Sequence, residues 1–438
     1  MRTQRRKPRL AGRAGTDPKV ATMMTDKTWQ LGLAGMGMIA VAFGFARYGY
    51  GLFVPVFRDE FGLSTGSLGL ISGGSYASYL IALLLAGFLS SRLNPRFPII
   101  LAGLFATTGM ILIAAAPNSV VLAAGVLIAS TSPGWAWAPF SDAVAQLIRP
   151  GARNRTLSIV STGTAFGLLV SGPITLFAGA TWRVAWLLFA LVALACTIWN
   201  ARILPNKPYN PASGAESQRG ARGANLALGR SRPTWRWYVN TPSLPLFLVA
   251  LIFGFSGAFY WTYAADIVLD NGLPPATRSI LWTLVGITGV AGLATGDLVG
   301  RFGLRRVLVA ALLLLTVAIA LLGLSPGSWL AIGISAALYG PSFMMMSALL
   351  ALWSSEVFPD RPSAGFSATL LLLAVGSIGG PTTLGLIADV AGLRSLFLVA
   401  AALTLIGLVG AIPRRGSAAA IPGSGDEKTL PRVKTGQG

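Results

Sequence analysis

Histidine is missing from this 438-residue chain, cysteine occurs once, and only 14 residues are acidic. Each shortage excludes something. Without histidine there is neither the commonest metal ligand nor the usual side chain that titrates near neutral pH. A lone cysteine, Cys196, excludes an internal disulfide and any multi-cysteine metal site. No P-loop Gly-Lys-Ser/Thr run, GxGxxG-type nucleotide motif or nucleophile–base set is visible, so the sequence predicts no enzyme, no cofactor, no metal and no ATP-driven pump. Charged residues make up 11% of the chain, against 54% hydrophobic ones, well below the ~25% charge of soluble domains.

What is present is length of apolar chain. Twelve blocks read as spans: 29–57, 66–91, 98–117, 119–147, 155–180, 182–201, 243–268, 278–300, 304–324, 328–357, 362–390 and 393–412. A bilayer core of ~30 Å needs about 20 helical residues, which every block supplies. The fifty-three glycines and 26 prolines fit this reading, since transmembrane helices carry more of both than soluble ones.

Twenty-nine of the 34 Lys and Arg residues fall on one side of those spans. Eight lie in residues 1–28, seven in 202–242 and five in 413–438, and nine more fall in the loops around Arg92, Arg149, Arg301 and Arg361. The opposite face has only Arg58, Arg183, Arg278 and Arg394, and Arg47 lies inside a span. Cationic loops stay cytoplasmic during insertion, so both termini are expected inside the plasma membrane. The +20 net charge then reflects topology and anionic lipid headgroups, not nucleic acid. The basic start runs directly into the first span without a cleavage site, so that span is expected to be retained. Met23 or Met24 would serve as a start as well as Met1.

The chain repeats itself. Phe43-Gly44-Phe45 recurs at 253–255, Tyr50 matches Tyr260, and Gly62-Leu63 matches Gly272-Leu273, all at an offset of 210. Pro133 and Pro341, Arg153 and Arg361, and Gly172-Pro173 and Gly380-Pro381 follow at 208. The expected organisation is a basic tail (1–28), a six-helix bundle (29–201), a cytoplasmic linker (202–242), a second bundle (243–412) and a second tail (413–438). Two such bundles imply a pseudo-twofold axis along the membrane normal and a cavity between them.

The loops after the second span of each half carry Gly87, Leu89, Arg92 and Arg96, and Gly296, Leu298, Arg301, Gly303, Arg305 and Arg306. These resemble the G-x-L-x-D-R-x-G-R-R motif of the major facilitator superfamily. Ser91 and Gly300 replace the family's aspartate, and Asn94 the first-half loop glycine. The run FGFARYGYGLFVP (43–55) further resembles the YbfB/YjiJ-type branch. The resemblance implies an all-α fold of two six-helix bundles and transport by alternating access, with an inner gate at these arginines.

Few ionisable residues lie at membrane depth. Arg47 is about eighteen residues into its span, roughly 27 Å along the helix. An arginine there binds a substrate's anionic group, or forms a structural pair while its head snorkels outward. Tyr48 and Tyr50 suit either reading. Asp266, near the far end of span seven, is the expected partner of Arg47 in an outer gate, or a solvated acid at a helix end. Asp142 with Arg149 resembles the acidic-x6-Arg motif of sugar porters. Asp142 thus either closes the inner gate, pairing with Arg92, or carries a proton. Asp297 is expected to serve the second-half gate with Arg301 and Arg305.

Trp135 and Trp137 follow Pro133, while Tyr260, Tyr263, Tyr339 and Phe343 occupy the matching second-half spans. They are candidate cavity residues for an amphipathic or aromatic solute. The Gly-Pro stripes at 163–173 and 376–385 either pack helices or follow the similar motif of drug/proton antiporters. The expectation is therefore a monomeric, proton-coupled exporter of a small amphipathic or aromatic organic compound, in contact with membrane lipids. Uptake of a small organic anion held by Arg47 is the rival within the class. A non-transporting membrane sensor or scaffold is the rival outside it.

Overall fold

Helix accounts for almost all of the computed structural model, which describes residues 18–90, 94–178, 181–206 and 241–411. Among these residues, eleven helices are long and apolar enough to cross a membrane. In chain order the first six are α1 (Thr28–Phe61), α2 (Thr65–Ala86), α3 (Arg96–Ala114), α4 (Ser119–Leu147), α5 (Pro150–Ala178) and α6 (Trp182–Ile203). The second half supplies α7 (Ser243–Asp270), α8 (Ala276–Phe302), α9 (Leu304–Leu324), α10 (Trp329–Val357) and α11 (Ala364–Ala391). A shorter apolar helix, α12 (Leu393–Val409), completes the set. The expected twelve helices are all present.

Their ends correct the sequence reading in detail. The helix carrying α1 starts at Pro18, inside the stretch assigned to the tail, and α1 continues to Phe61, past the expected end at 57. The linker begins later than expected, because α6 runs on to Ile203. Residues 207–240, where the remainder of the linker falls, lie outside the described residues, as do 1–17 and 412–438.

Local chemistry explains the stops. The pseudo-equivalent glycines Gly62 and Gly272 follow α1 and α7 with φ of 59° and 84°. Glycine adopts this left-handed backbone without the Cβ clash other residues meet, so the sequence repeat is also a repeat of turn geometry. Asn118 caps α4, its side chain accepting from the Val121 amide at 3.0 Å. Within that span the helix breaks at Ser130–Thr131, just before Pro133, which has no N–H to donate to the preceding turn. α1 contains an unusual insertion: Ala40–Arg47 is a π-helix, with the Tyr48 amide donating to the Phe43 carbonyl at 3.0 Å. Such wide turns occur mostly at functional sites.

Glycine stripes set helix spacing. On α5, a Cβ at Gly163 or Gly167 would run into the backbone of α1 at Met36 or Ala40. On α11, Gly376 and Gly380 lie against the α7 carbonyls of Leu251 and Phe255. Each Gly-Pro stripe thus packs within its own half through its first glycines, while Gly172 and Gly385 meet the other half at Ser279 and Thr65. Large apolar side chains such as Leu84, Leu191, Leu330 and Val409 are strongly exposed around the outside, as suits a lipid-facing belt.

The two halves meet along one seam. α2 lies on α11 through Gly66, Gly69 and Gly73, spaced three and four residues apart and so sharing a face. α5 lies on α8 through Gly172 and Gly286, and the far end of α1 lies on α7. These contacts sit on the side of the bundle away from where the first helix starts, here termed the far face. Toward the near face, α4 and α10 pack within their own halves.

Candidate functional site

Arg47 terminates the π-helix and is 8% exposed. Its guanidinium lies 3.8 Å from the ring centre of Tyr79 and 4.6 Å from that of Tyr76, with Phe43 and Tyr48 each at 5.8 Å. Two of its nitrogens, Nε and Nη1, are buried without a hydrogen-bond partner. Cation–π contacts contribute roughly 0.5–2 kcal/mol each. Burying an ion outright costs several kcal/mol, so four rings do not by themselves replace a counter-ion. The arrangement is an electropositive cage of Phe43 and three tyrosines, with no carboxylate paired to the guanidinium among the described residues.

Next to it, aromatic rings of both halves close the seam. Tyr48 stacks on Trp261 with centroids 4.3 Å apart and meets the edge of Phe343 at 6.1 Å. Trp282 donates from Nε1 to the Tyr48 carbonyl at 3.2 Å, and lies 5.8 Å edge-on from Trp261. The close approach needs Gly51: a Cβ there would overlap the Trp261 carbonyl. The Trp261 Nε1 is itself buried without an acceptor. It is a second donor beside the tyrosine cage.

Beyond this plug lies the far-face closure. Arg58 forms a salt bridge with Asp266, and its Nη2 also donates to Thr65 Oγ1 at 3.0 Å. The expected Arg47–Asp266 pair is therefore replaced by Arg58–Asp266, because α1 extends far enough to bring Arg58 into the seam. Tyr263 donates to the Thr65 carbonyl at 2.8 Å and shares its proton with Pro381 O at 3.3 Å. The Gly66 amide donates to Asp389 Oδ2 at 3.1 Å, and Ser72 Oγ bonds Thr262 Oγ1 at 2.7 Å.

The other expected cavity residues are dispersed. Trp135 is in the first-half core, 6.3 Å from Phe105, and Trp137 points out with 40% exposure. Tyr50 donates to the Leu68 carbonyl at 2.9 Å and belongs to the far-face wall of the first half. Tyr260 and Tyr339 stack at 3.6 Å inside the second half; Tyr260 bonds Ser335 at 3.0 Å, and Tyr339 donates to Gly257 O at 3.0 Å. Of the predicted aromatics, Tyr48 and Phe343 join the cage and plug, and Tyr339 borders the plug, 5.3 Å edge-on from Trp261 and stacked on Phe343 at 5.4 Å.

At the near face, Arg305 lies 4.3 Å over Trp353 and Arg301 5.3 Å over Phe302, while Asp297 is exposed. In place of the expected Asp297 pairing, both arginines lie on aromatic rings. Gly296 has no neighbour within 4 Å of its Cβ position, and Gly303 takes a φ of 84°. Asp142 is half-buried, Arg149 is exposed, and Arg96 is half-buried with its amide donating to Asn94 Oδ1 at 3.1 Å. Arg92, and so any Arg92–Asp142 pair, lies outside the described residues, and Gly87 is placed by its helical backbone alone. Tyr76, Tyr79 and Arg278 were not singled out from sequence, although the Tyr-x-x-Tyr spacing on one helix face was the available signal for the first two.

Comparison with known proteins agrees with this architecture. The family described as "Uncharacterised MFS-type transporter YbfB" matches residues 39–412. The purine ribonucleoside efflux pump NepI of Escherichia coli K12 is 20% identical over 363 residues, 81% of this chain and 86% of that protein. The transcription regulatory protein OpdE of Pseudomonas aeruginosa is 28% identical over 349 residues, 77% of this chain and 83% of that one. Among solved structures, the nucleoside transporter NupG superposes with a TM-score of 0.67 at 12% identity, covering 88% of this chain and 98% of NupG. The chain is thus a multi-pass membrane transporter, not an enzyme, and it belongs to the YbfB-type family of the major facilitator superfamily.

Proposed function

We propose that this transporter moves a small organic anion with a flat, apolar body, gripped by Arg47 among the tyrosine rings. The observation that carries the reading is the buried Arg47 guanidinium with Nε and Nη1 unpartnered, beside a plug built from both halves. An anionic group satisfies the two N–H donors, and a flat body stacks on the neighbouring rings of Tyr79 and Tyr76. Export is the direction we favour, in keeping with the efflux activity that NepI's name records. The positive-inside distribution makes the near face cytoplasmic, with both ends of the chain inside the plasma membrane. The far-face closure then corresponds to an inward-open state, and rocking the halves about the Arg47 cage exposes it to the other side. The free energy for export comes from the proton gradient, carried by Asp142 or Asp266.

Arg47→Gln is expected to lower 1-naphthoate transport in proteoliposomes by at least a hundredfold, the scale of losing a buried charge-assisted contact. Movement of the neutral analogue 1-naphthalenemethanol should change by less than threefold. Equal loss of both would mean that Arg47 is structural. The regulatory role in OpdE's name supports a second reading, a membrane sensor that transports nothing. That reading gains if purified protein binds naphthoate yet moves none of it.

The orientation has its own test. Cysteines introduced at Gly12 and Ser424, with Cys196 replaced by alanine, are expected to resist a membrane-impermeant maleimide in intact cells. Labelling of either one from outside would place that end on the wrong side.

A further inference from the structure

Arg278 repeats the peculiarity of Arg47 on the other side of the plug. It is 7% exposed, and its Nε and Nη1 are both buried without a hydrogen-bond partner. Among the described residues its guanidinium lies against a ring of the other half, 5.4 Å over Phe53 of α1. The residue lies in the first turn of α8, where the helix dipole adds positive potential. Thr277, in the same turn, is fully buried with its hydroxyl unpartnered. A cation in this setting carries the same several-kcal/mol penalty as Arg47, with less aromatic compensation.

Position connects the two arginines. Trp282, four residues after Arg278 and on the same helix face, donates to the backbone of Tyr48, the neighbour of Arg47. Along the seam the order runs Arg47, then Tyr48 with Trp261 and Trp282, then Arg278 with Phe53. Phe53 belongs to one half and Arg278 to the other, so separation of the halves at the far face uncovers the guanidinium. The Arg58–Asp266 pair provides no counter-charge for it, since Asp266 is engaged by Arg58.

We propose that Arg278 is a second anion-binding station, which takes the carboxylate of the substrate after the plug opens and hands it to the far side. The proposal rests on the anionic substrate assigned to Arg47 above. It makes transport a transfer between two guanidiniums separated by an aromatic shutter, each paired with the ligand in one state. Because the contact exists only when the far face is open, Arg278 governs affinity on that face alone.

Transport of 1-naphthoate is measured in both directions across proteoliposomes for the parent, Arg278→Gln, Arg278→Lys and Arg47→Gln. Arg278→Gln is expected to raise the KM for naphthoate presented at the far face at least tenfold. The KM at the near face should stay within twofold, and Arg278→Lys should recover most of the loss. The neutral 1-naphthalenemethanol should show no face-dependent change. A KM that rises equally on both faces, or not at all, or equally for the alcohol, overturns the station. If Arg47→Gln abolishes naphthoate transport and Arg278→Gln leaves the far-face KM unchanged, only this proposal fails. If the parent neither binds nor moves naphthoate, the anionic substrate fails and this proposal with it.

Discussion

Arg58→Ala is expected to shift the protein toward a state open at the far face by on the order of 10²–10³-fold. Asp266 is 3% exposed, and Arg58 is its salt-bridge partner. Removing one member of a buried pair leaves the other charge uncompensated, at a cost of about 3–5 kcal/mol. That penalty falls on the closed state alone, because parting the halves returns Asp266 to water. The reverse substitution is milder. Arg58 has 27% of its side chain exposed and can turn to solvent when Asp266 is neutralised. A reporter is available at Ser72, 2% exposed and bonded across the seam to Thr262. With Cys196 replaced by alanine, Ser72→Cys should react slowly with an impermeant maleimide applied at the far face. Adding Arg58→Ala should speed labelling strongly, and adding Asp266→Asn to that variant should restore most of the protection. Labelling that is unchanged by Arg58→Ala would remove the pair from the closure.

The second large effect is steric. Gly69→Val places a side chain where a Cβ alone would overlap the Pro381 carbonyl and come within 2.5 Å of the Tyr263 hydroxyl. A backbone carbonyl in a packed helix cannot swing aside as a flexible side chain does, so α2 and α11 must separate. Overpacking typically costs 1–3 kcal/mol, and here more, since Tyr263 also loses its acceptors Thr65 and Pro381. The variant should fold, because the widened seam lies between halves and not within one. Turnover should drop by about a hundredfold while binding of naphthoate from the far face persists. Gly333→Ala, in α10 with open space around its Cβ position, serves as the control and should transport as the parent does. Normal turnover in Gly69→Val would show that the seam need not close.

The number of helices and the repeated turn glycines were legible in the sequence. They depend on apolar run length and glycine placement, which are one-dimensional signals. The site was less legible for a reason visible at the span ends. Arg58 was placed just outside its span and Arg278 at the very start of its own, because apolar runs fade near 57 and start near 278. In the structure α1 reaches Phe61 and α8 begins at Ala276, so both guanidiniums lie on helices and turn into the seam. The partner of Asp266 was misassigned for that reason. The tyrosines around Arg47 illustrate a second limit. Tyr76 and Tyr79 carry no charge and break no pattern, and only the packing of α2 beside the π-segment brings them to the guanidinium. Trp135 failed in the opposite sense: proximity to Pro133 suggested the cavity, whereas the break in α4 turns it into the core with Phe105.

The widened turn from Ala40 to Arg47 has a geometric consequence of its own. A π-turn holds one more residue than the α-turn it replaces, and each residue on a helix advances the azimuth by about 100°. The heading of the guanidinium is thus fixed by the winding of the main chain, with side-chain torsions making only the final adjustment. Upstream, Met36, Ala40 and Gly44 lie against the Gly163–Gly167 stripe of the same half, while Gly51, downstream of Arg47, lies against Trp261 of the other half. The extra residue therefore lies between the part of the first helix packed on its own half and the part packed on the other, and Arg47 sits on that boundary.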